Sequence, residues 1–308
     1  MVDAANEQKQ NGNRAVIIFA GPNGSGKSTA NAKVLNDPAI GFDGTYINAD
    51  DIAKTLTGNF SSPQELNIAA AEQAETRRNK CLESGESFAF ETVMSTPEKV
   101  ALMSQARARG YDVHLVFVTT SDPAINAARV ANRVALGGHD VPFDAIYNRY
   151  ESAMKLLPVA IEQATSVYVF DNSEDGREAI LVAQKSKGGE LEIAVNDNTP
   201  SWAKERLQVD HDDRLASLAM LGQALQAKGF TAGVDRLEMA EAANGISYDG
   251  KTIAATTFHV LQQGDQHHFL LHSRALAQDR AYRVGAQEKV TYAYERGKTK
   301  GIDKSLER

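Results

Sequence analysis

Nine consecutive residues, Gly21-Pro22-Asn23-Gly24-Ser25-Gly26-Lys27-Ser28-Thr29, directly follow the apolar run Ala15-Val16-Ile17-Ile18-Phe19-Ala20. They fit the spacing G-x-x-x-x-G-K-[ST], which builds a phosphate-binding loop between a strand and a helix. Each residue type has a chemical reason. Gly21, Gly24 and Gly26 allow backbone conformations closed to other residues, so successive N–H groups can turn inward around a phosphate. Lys27 adds a point charge for the β- and γ-oxygens, and the Ser28 hydroxyl is a ligand for Mg²⁺. A helix starting near Lys27 directs its positive end at the same anion. The alternative, a merely structural glycine-rich turn, does not require Lys27 or Ser28. The reading is therefore a site for ATP and Mg²⁺.

Further polar residues follow the other apolar runs. Asn48-Ala49-Asp50-Asp51 follows Thr45–Asn48, Glu91-Thr92 lies in FAFETVMST, and Asp171-Asn172-Ser173 ends VYVFDNS. The run VHLVFVTT ends without a carboxylate, so the metal-holding Asp of a simple P-loop ATPase is absent there. That favours a small-molecule kinase layout. In DPAINAARVANRVALGGHDVP, Arg129 and Arg133 are four apart and share a helix face, ahead of a Gly137-Gly138 hinge. Such a pair fits a lid that closes over a transferring phosphate, with Arg149 as a third cation. A solvated basic face is the plainer reading of spaced arginines. His139 is read as a hinge or hydrogen-bonding residue, outside the catalytic set.

The elements that must position these residues alternate. Strand-like runs at 15–20, 45–48, 87–90, 113–119 and 166–170 are separated by helical stretches at about 27–36, 63–84, 97–109, 122–136 and 143–157. The alternation predicts an α/β fold, a parallel sheet flanked by helices in a P-loop kinase arrangement. Ligands of such sheets sit at the carboxyl ends of the strands, where the residues above fall. A 178–194 hairpin around Gly188-Gly189 closes the kinase part, and Asn198-Thr199-Pro200 marks a boundary.

The 308 residues suffice for two domains, and 42% hydrophobic with 24% charged residues is an ordinary globular composition. No run approaches a membrane span, and the polar start MVDAANEQKQNGNR has no secretory signal. One cysteine, Cys81, read as a packing residue, fits a reducing cytoplasm and excludes an internal disulfide. Residues 201–308 hold 15 Lys/Arg against 14 Asp/Glu; of the total charge of −7 this leaves −8 on residues 1–200. An acidic catalytic part argues against nucleic acid as its substrate.

GPNGSGKST, YINADDIA, FAFETVMST, RVANRVALGGHDVP with IYNRY, and VYVFDNS together resemble the zeta toxin family, over about residues 14–200. These are P-loop kinases of bacterial toxin–antitoxin systems. The resemblance implies ATP-dependent phosphorylation of the 3′-hydroxyl of the sugar in UDP-N-acetylglucosamine, which blocks peptidoglycan synthesis. It implies Asp50 as catalytic base, Lys27 as the P-loop lysine, Ser28 as the Mg²⁺ ligand, and Glu91 and Thr92 facing the sugar. Arg129 and Arg133 fall in the lid segment, and which arginine matches which stays open. The chemistry agrees: an Asp that accepts the proton of a sugar hydroxyl activates a poor nucleophile. Asp51 is the rival base; it could instead cap the helix that follows.

Residues 1–13 and 301–308 read as solvated tails, 201–245 as a helical connector and 246–300 as a small five-stranded, barrel-like β module. In the module, Gly250-Lys251-Thr252-Ile253-Ala254 with His259, Val260 and Gln262, and the later VTYAYERGK, resemble the KfrB domain of plasmid-encoded proteins. Trp202 is expected to pack between domains. His259, His267, His268 and His272 come without a cysteine and are not read as a metal site. The C-terminal part is expected either to bind a partner or to mask the nucleotide site in place of a separate antitoxin. Two other functions stay open: a kinase of another hydroxyl (a dinucleotide ribose, an antibiotic, a polynucleotide end), and a nucleotide-dependent binding or regulatory module.

Overall fold

The computed structural model describes residues 14–36, 42–138, 141–231, 234–265 and 267–294. His139 and the two tails lie outside the described residues. The first sheet forms from runs too apolar to stay in water. β1 (Ala15–Ala20) runs up the middle, with β2 (Thr45–Ile47), β3 (Phe88–Thr92), β4 (Asp112–Thr119) and β5 (Ser166–Asp171) parallel to it. An antiparallel hairpin, β6 (Ile180–Lys185) and β7 (Leu191–Ile193), turns at Gly188-Gly189 and completes the order β2-β3-β1-β4-β5-β6-β7. Val16, Ile18, Phe88, Phe90, Leu115, Phe117 and Val167 are all essentially buried, as near-continuous apolar strands of a two-sided sheet require.

Helices return the chain between strands: α1 (Lys27–Leu35), α2 (Ala49–Thr55), α3 (Pro63–Ser84), α4 (Pro97–Ala108), α5 (Pro123–Ala135) and α6 (Phe143–Gln163). Their starts are written in capping chemistry. Ser62 accepts from the Glu65 amide ahead of Pro63, and Asp122 accepts from the Ala124 amide ahead of Pro123. α6 outruns its expected end at residue 157: Pro158 sits inside it, and burial of Leu156, Leu157, Val159, Ala160 and Ile161 holds the helix together. Packing here outweighs the cost of the missing N–H. Cys81 is buried, as expected of a packing residue.

The C-terminal part departs further from expectation. A π-helical turn (Ala203–Gln208) leads into α7 (Val209–Ala227). The stretch VDRLEMAEAA, read as helical, instead holds a strand, β8 (Arg236–Met239), because its backbone pairs in parallel with β11 (His268–Ser273). With β9 (Ser247–Ala255), β10 (His259–Asp265) and β12 (Gln287–Thr291) it forms a sheet of order β12-β9-β10-β11-β8. The order runs from edge to edge, so the five strands are an open sheet and no barrel, and one comes from before residue 246. Gly250 fits where a side chain could not: a Cβ there would lie 2.8 Å from the Gln263 carbonyl oxygen.

This sheet is fastened to the first. Ser104 on α4 donates to the Ala240 carbonyl at 3.3 Å and accepts from the Ala242 amide at 3.0 Å. Ala240, Ala242, Val260, Leu270, Val290 and Tyr292 join the same apolar core as α4 and β3. Trp202, buried, donates from Nε1 to Asp171 Oδ2 at 2.6 Å and so packs the connector onto β5. Among the described residues no helix is long and apolar enough to cross a membrane.

Candidate active site

The glycines of the loop after β1 adopt the conformations their spacing required, with φ of 140° at Gly21, 77° at Gly24 and 95° at Gly26. Space is equally restrictive. A Cβ on Gly21 would lie 1.9 Å from the Val118 carbonyl oxygen, and one on Gly24 2.6 Å from that of Asn126. Two asparagines clamp the loop from neighbouring strand ends. Asn126 on α5 donates to the Asn23 carbonyl at 2.7 Å, and Asn172 after β5 donates to the Ser25 carbonyl at 2.8 Å. Asn172 belongs to the Asp171-Asn172-Ser173 strand end read from the sequence and Asn126 was not singled out; the clamping by both acts through a strand order that spacing alone does not give.

The loop's residues fit an anion. Asn23 Oδ1 and Ser25 Oγ are buried without a hydrogen-bond partner, and the first turn of α1 leaves the amides of Lys27 and Ser28 without intrahelical acceptors. Lys27 is folded back, its Nζ donating to the Pro22 carbonyl at 2.8 Å. Burial lowers its ammonium to about 8, partly offset by the charges of Glu91 and Asp50, while Arg133 adds to the lowering. Lys27 thus senses Asp50, Glu91 and Arg133 together, three residues distant in sequence. Thr29 lies exposed on the outer side of the same turn.

Glu91 is engaged at the P-loop. From the end of β3, beside β1, its carboxylate accepts from Ser28 Oγ (3.3 Å), Asn31 Nδ2 (2.9 Å) and Tyr46 OH (2.8 Å). Asn48 Nδ2 donates to Tyr46 OH at 2.9 Å and extends the network to α2. A carboxylate joined to the Ser28 hydroxyl supplies the hard oxygen donors that Mg²⁺ takes, so these two residues fit that ion. A carboxylate thus stands at the end of β3, where β4 has none. Thr92 is engaged by backbone amides: its carbonyl accepts from that of Gly21 and its hydroxyl from that of Met94 at 3.0 Å. Met94, buried with φ of 54°, is the only described non-glycine residue with positive φ, and such strain clusters at functional loops.

Asp50 and Asp51 separate cleanly. Asn48 caps α2 by accepting from the Asp50 amide at 2.8 Å, and Asp51 pairs with Lys54 at 2.8 Å, so Asp51 is not the cap. The exposed Asp50 carboxylate makes no hydrogen bond or ion pair among the described residues, and its charge acts on Lys27. Arg129 is tied down by Asp175 (2.6 Å) and the Asn172 carbonyl (2.7 Å), on the loop that also holds Ser25. Arg149 is exposed on α6 and makes no hydrogen bond or ion pair among the described residues. The structure therefore gathers Lys27, Ser28, Asp50, Glu91 and Arg133, and holds Arg129 beside the loop through Asn172.

A central, mostly parallel sheet with such a loop at its strand ends is a P-loop kinase-like fold. Residues 16–155 match the family model described as an AAA domain. An uncharacterized protein of Haemophilus influenzae is 31% identical over 134 residues, which is 44% of this chain and 91% of that protein. The chain belongs to the same family as this Haemophilus protein. Among solved structures, a chain of the AvrRxo1-ORF1:AvrRxo1-ORF2 complex with sulphate ions has a TM-score of 0.50 at 15% identity, over 65% of this chain and 66% of that one. The chain thus spans about two thirds of that protein's length. The PezAT toxin–antitoxin system of Streptococcus pneumoniae gives a TM-score of 0.41 at 15% identity, over 70% and 94% of the two chains.

Proposed function

We propose that this chain is an ATP-dependent kinase of a small-molecule hydroxyl, with the sugar 3′-hydroxyl of UDP-N-acetylglucosamine as acceptor. The reading is carried by one observation: an unpaired carboxylate, Asp50, faces the charge of the P-loop lysine while its neighbour Asp51 is spent on Lys54. A nucleotide switch has no use for a carboxylate held ready there. An acceptor hydroxyl between Asp50 and the loop gives its proton to the Asp50 carboxylate. Its oxygen bonds to the γ-phosphorus as the bond to the β–γ bridging oxygen breaks, releasing ADP. Lys27 and Arg133 stabilise charge on the transferring group, with Arg129 joining them on lid closure. Mg²⁺, held by Ser28 and Glu91, would neutralise phosphate oxygens.

The acceptor follows from the likeness of the five motifs to the zeta toxins, which also makes a toxic block of cell-wall synthesis and an antitoxin partner part of the proposal. Masking of the nucleotide site by residues 201–294 is not part of it. Arg206 of the π-helical turn pairs with Glu151 and Arg214 of α7 with Glu162, both on α6, and no hydrogen bond or ion pair among the described residues joins 201–294 to Lys27 or Asp50. The test is a kinase assay with Asp50→Ala beside the parent. Loss of phosphorylated acceptor with ATP binding kept supports the assignment; unchanged turnover in Asp50→Ala would sink it.

A further inference from the structure

At the end of the first sheet opposite the P-loop, a cavity of about 430 Å³ lies in the seam between the kinase part and the C-terminal part. Its size falls in the range of small-molecule pockets, roughly 300–1,000 Å³. One wall is the end of α6 with Arg107 of α4 and Lys185 of β6; the other is α7 with His259. The two walls therefore belong to segments that only the tertiary fold brings together.

The cavity is lined by Arg107, Lys185 and Arg214 against Glu162 and Glu190, an excess of positive charge. Glu162 is saturated: Arg214 Nη1 lies 2.9 Å from both of its oxygens, and His259 Nε2 lies 3.1 Å from one. Burial pushes the Glu162 carboxyl up, but His259 and Arg214 outweigh it and hold the group below the usual range, as a carboxylate. Arg107 and Lys185 have no such partner. Arg107 Nη1 donates to the Glu162 carbonyl at 3.0 Å, and Lys185 Nζ donates to the Ile161 and Ala164 carbonyls at 2.9 Å. Neither forms an ion pair with a carboxylate among the described residues. Burial lowers the Lys185 ammonium from its ordinary value and the neighbouring Arg107 charge lowers it further, with the Glu162 charge opposing both. Capping the carbonyl end of α6 accounts for one N–H of Arg107 and two of Lys185, and leaves the remaining N–H groups without a carboxylate bonded to them among the described residues. Leu215 and Leu218 of α7 add an apolar face to the same cavity.

We propose that this cavity is a second ligand site, which takes a small organic phosphate with its dianionic group between Arg107 and Lys185 and its apolar body against Leu215 and Leu218. A phosphate monoester carries close to two negative charges at neutral pH, which is what two unpaired cations match. Because its walls come from both parts of the chain, occupancy tightens the seam and stabilises the whole molecule. The site is separate from the P-loop and independent of which acceptor the kinase uses.

The probe is phenyl phosphate, titrated calorimetrically into the full chain with the P-loop saturated by Mg·ADP. One binding event is expected, with a rise in melting temperature. It persists in nucleotide-free Lys27→Ala and weakens about tenfold or more in Arg107→Gln and Lys185→Gln. Should those variants melt early, Leu215→Glu serves instead: Leu215 is 48% exposed, so the fold tolerates the change while a carboxylate enters the lining. Absence of the event in the Mg·ADP-saturated parent, its loss in Lys27→Ala, or equal affinity in Leu215→Glu and the parent overturns the proposal and leaves the cations as caps of α6.

Discussion

In the proposed mechanism Lys27 and Asp50 divide the labour of the site, and their substitutions should divide in the same way. Lys27→Ala removes the charge that meets the phosphates, so both nucleotide binding and turnover should collapse. Asp50→Ala should leave ATP affinity within about threefold while lowering kcat by roughly 10²–10⁴, the usual worth of a general base. Titration of Lys27 gives a second expectation. Its ammonium has been lowered to about 8, and a bound phosphate favours the charged form, so nucleotide binding above that pH takes up a proton. Affinity for ADP should hold steady below pH 8 and fall by up to about tenfold per unit above it. Calorimetry in buffers of different ionisation enthalpy reads the proton directly; affinity that is flat from pH 7 to 9.5 contradicts the assignment. The loop was legible in the sequence because its glycines, lysine and serine are needed by local geometry. The partner of Ser28 was not, since Glu91 reaches it only because β3 lies beside β1.

Elements explain how these side chains are held still. Tyr46 at β2 links Asn48 of the α2 cap to Glu91, so Tyr46→Phe should leave the fold intact, cost about 1 kcal/mol in stability and reduce kcat more than nucleotide affinity. Urea denaturation with steady-state kinetics checks both. The loop after β1 admits less: Gly21→Ala places a methyl against the Val118 carbonyl at a positive φ, and failure to fold or to bind ATP is expected. While α2, behind its Asn48 cap, was not among the helical stretches read, the starts of α1, α3, α4, α5 and α6 and the first five strands were readable from the sequence. β8 was not, because RLEM carries no β signal of its own. Its pairing with β11, and the burial of Ala240 and Ala242 around Ser104, override a weak local preference. α6 past Pro158 errs in the opposite sense, since the proline's local cost is outweighed by a buried helix face.

At the scale of the molecule, one core runs from β3 and α4 into the C-terminal sheet, and a buried cluster of Glu162, Arg214 and His259 marks the seam. Arg214→Ala would strand the Glu162 carboxylate and should cost about 3–5 kcal/mol, seen as a lowered melting temperature for the entire chain. Separate melting of the two parts in the parent protein would contradict a shared core. The C-terminal sheet packs on α4 and the end of α6, while Trp202 of the connector reaches Asp171, beside the Asn172 that holds Ser25. The most direct test of the central claim is incubation of the protein with Mg·ATP and UDP-N-acetylglucosamine, followed by mass spectrometry of the sugar nucleotide. A gain of one phosphate on the sugar nucleotide, absent with Asp50→Ala, is the predicted result. ATP hydrolysis at one rate with or without the sugar nucleotide, unchanged by Asp50→Ala, would contradict it.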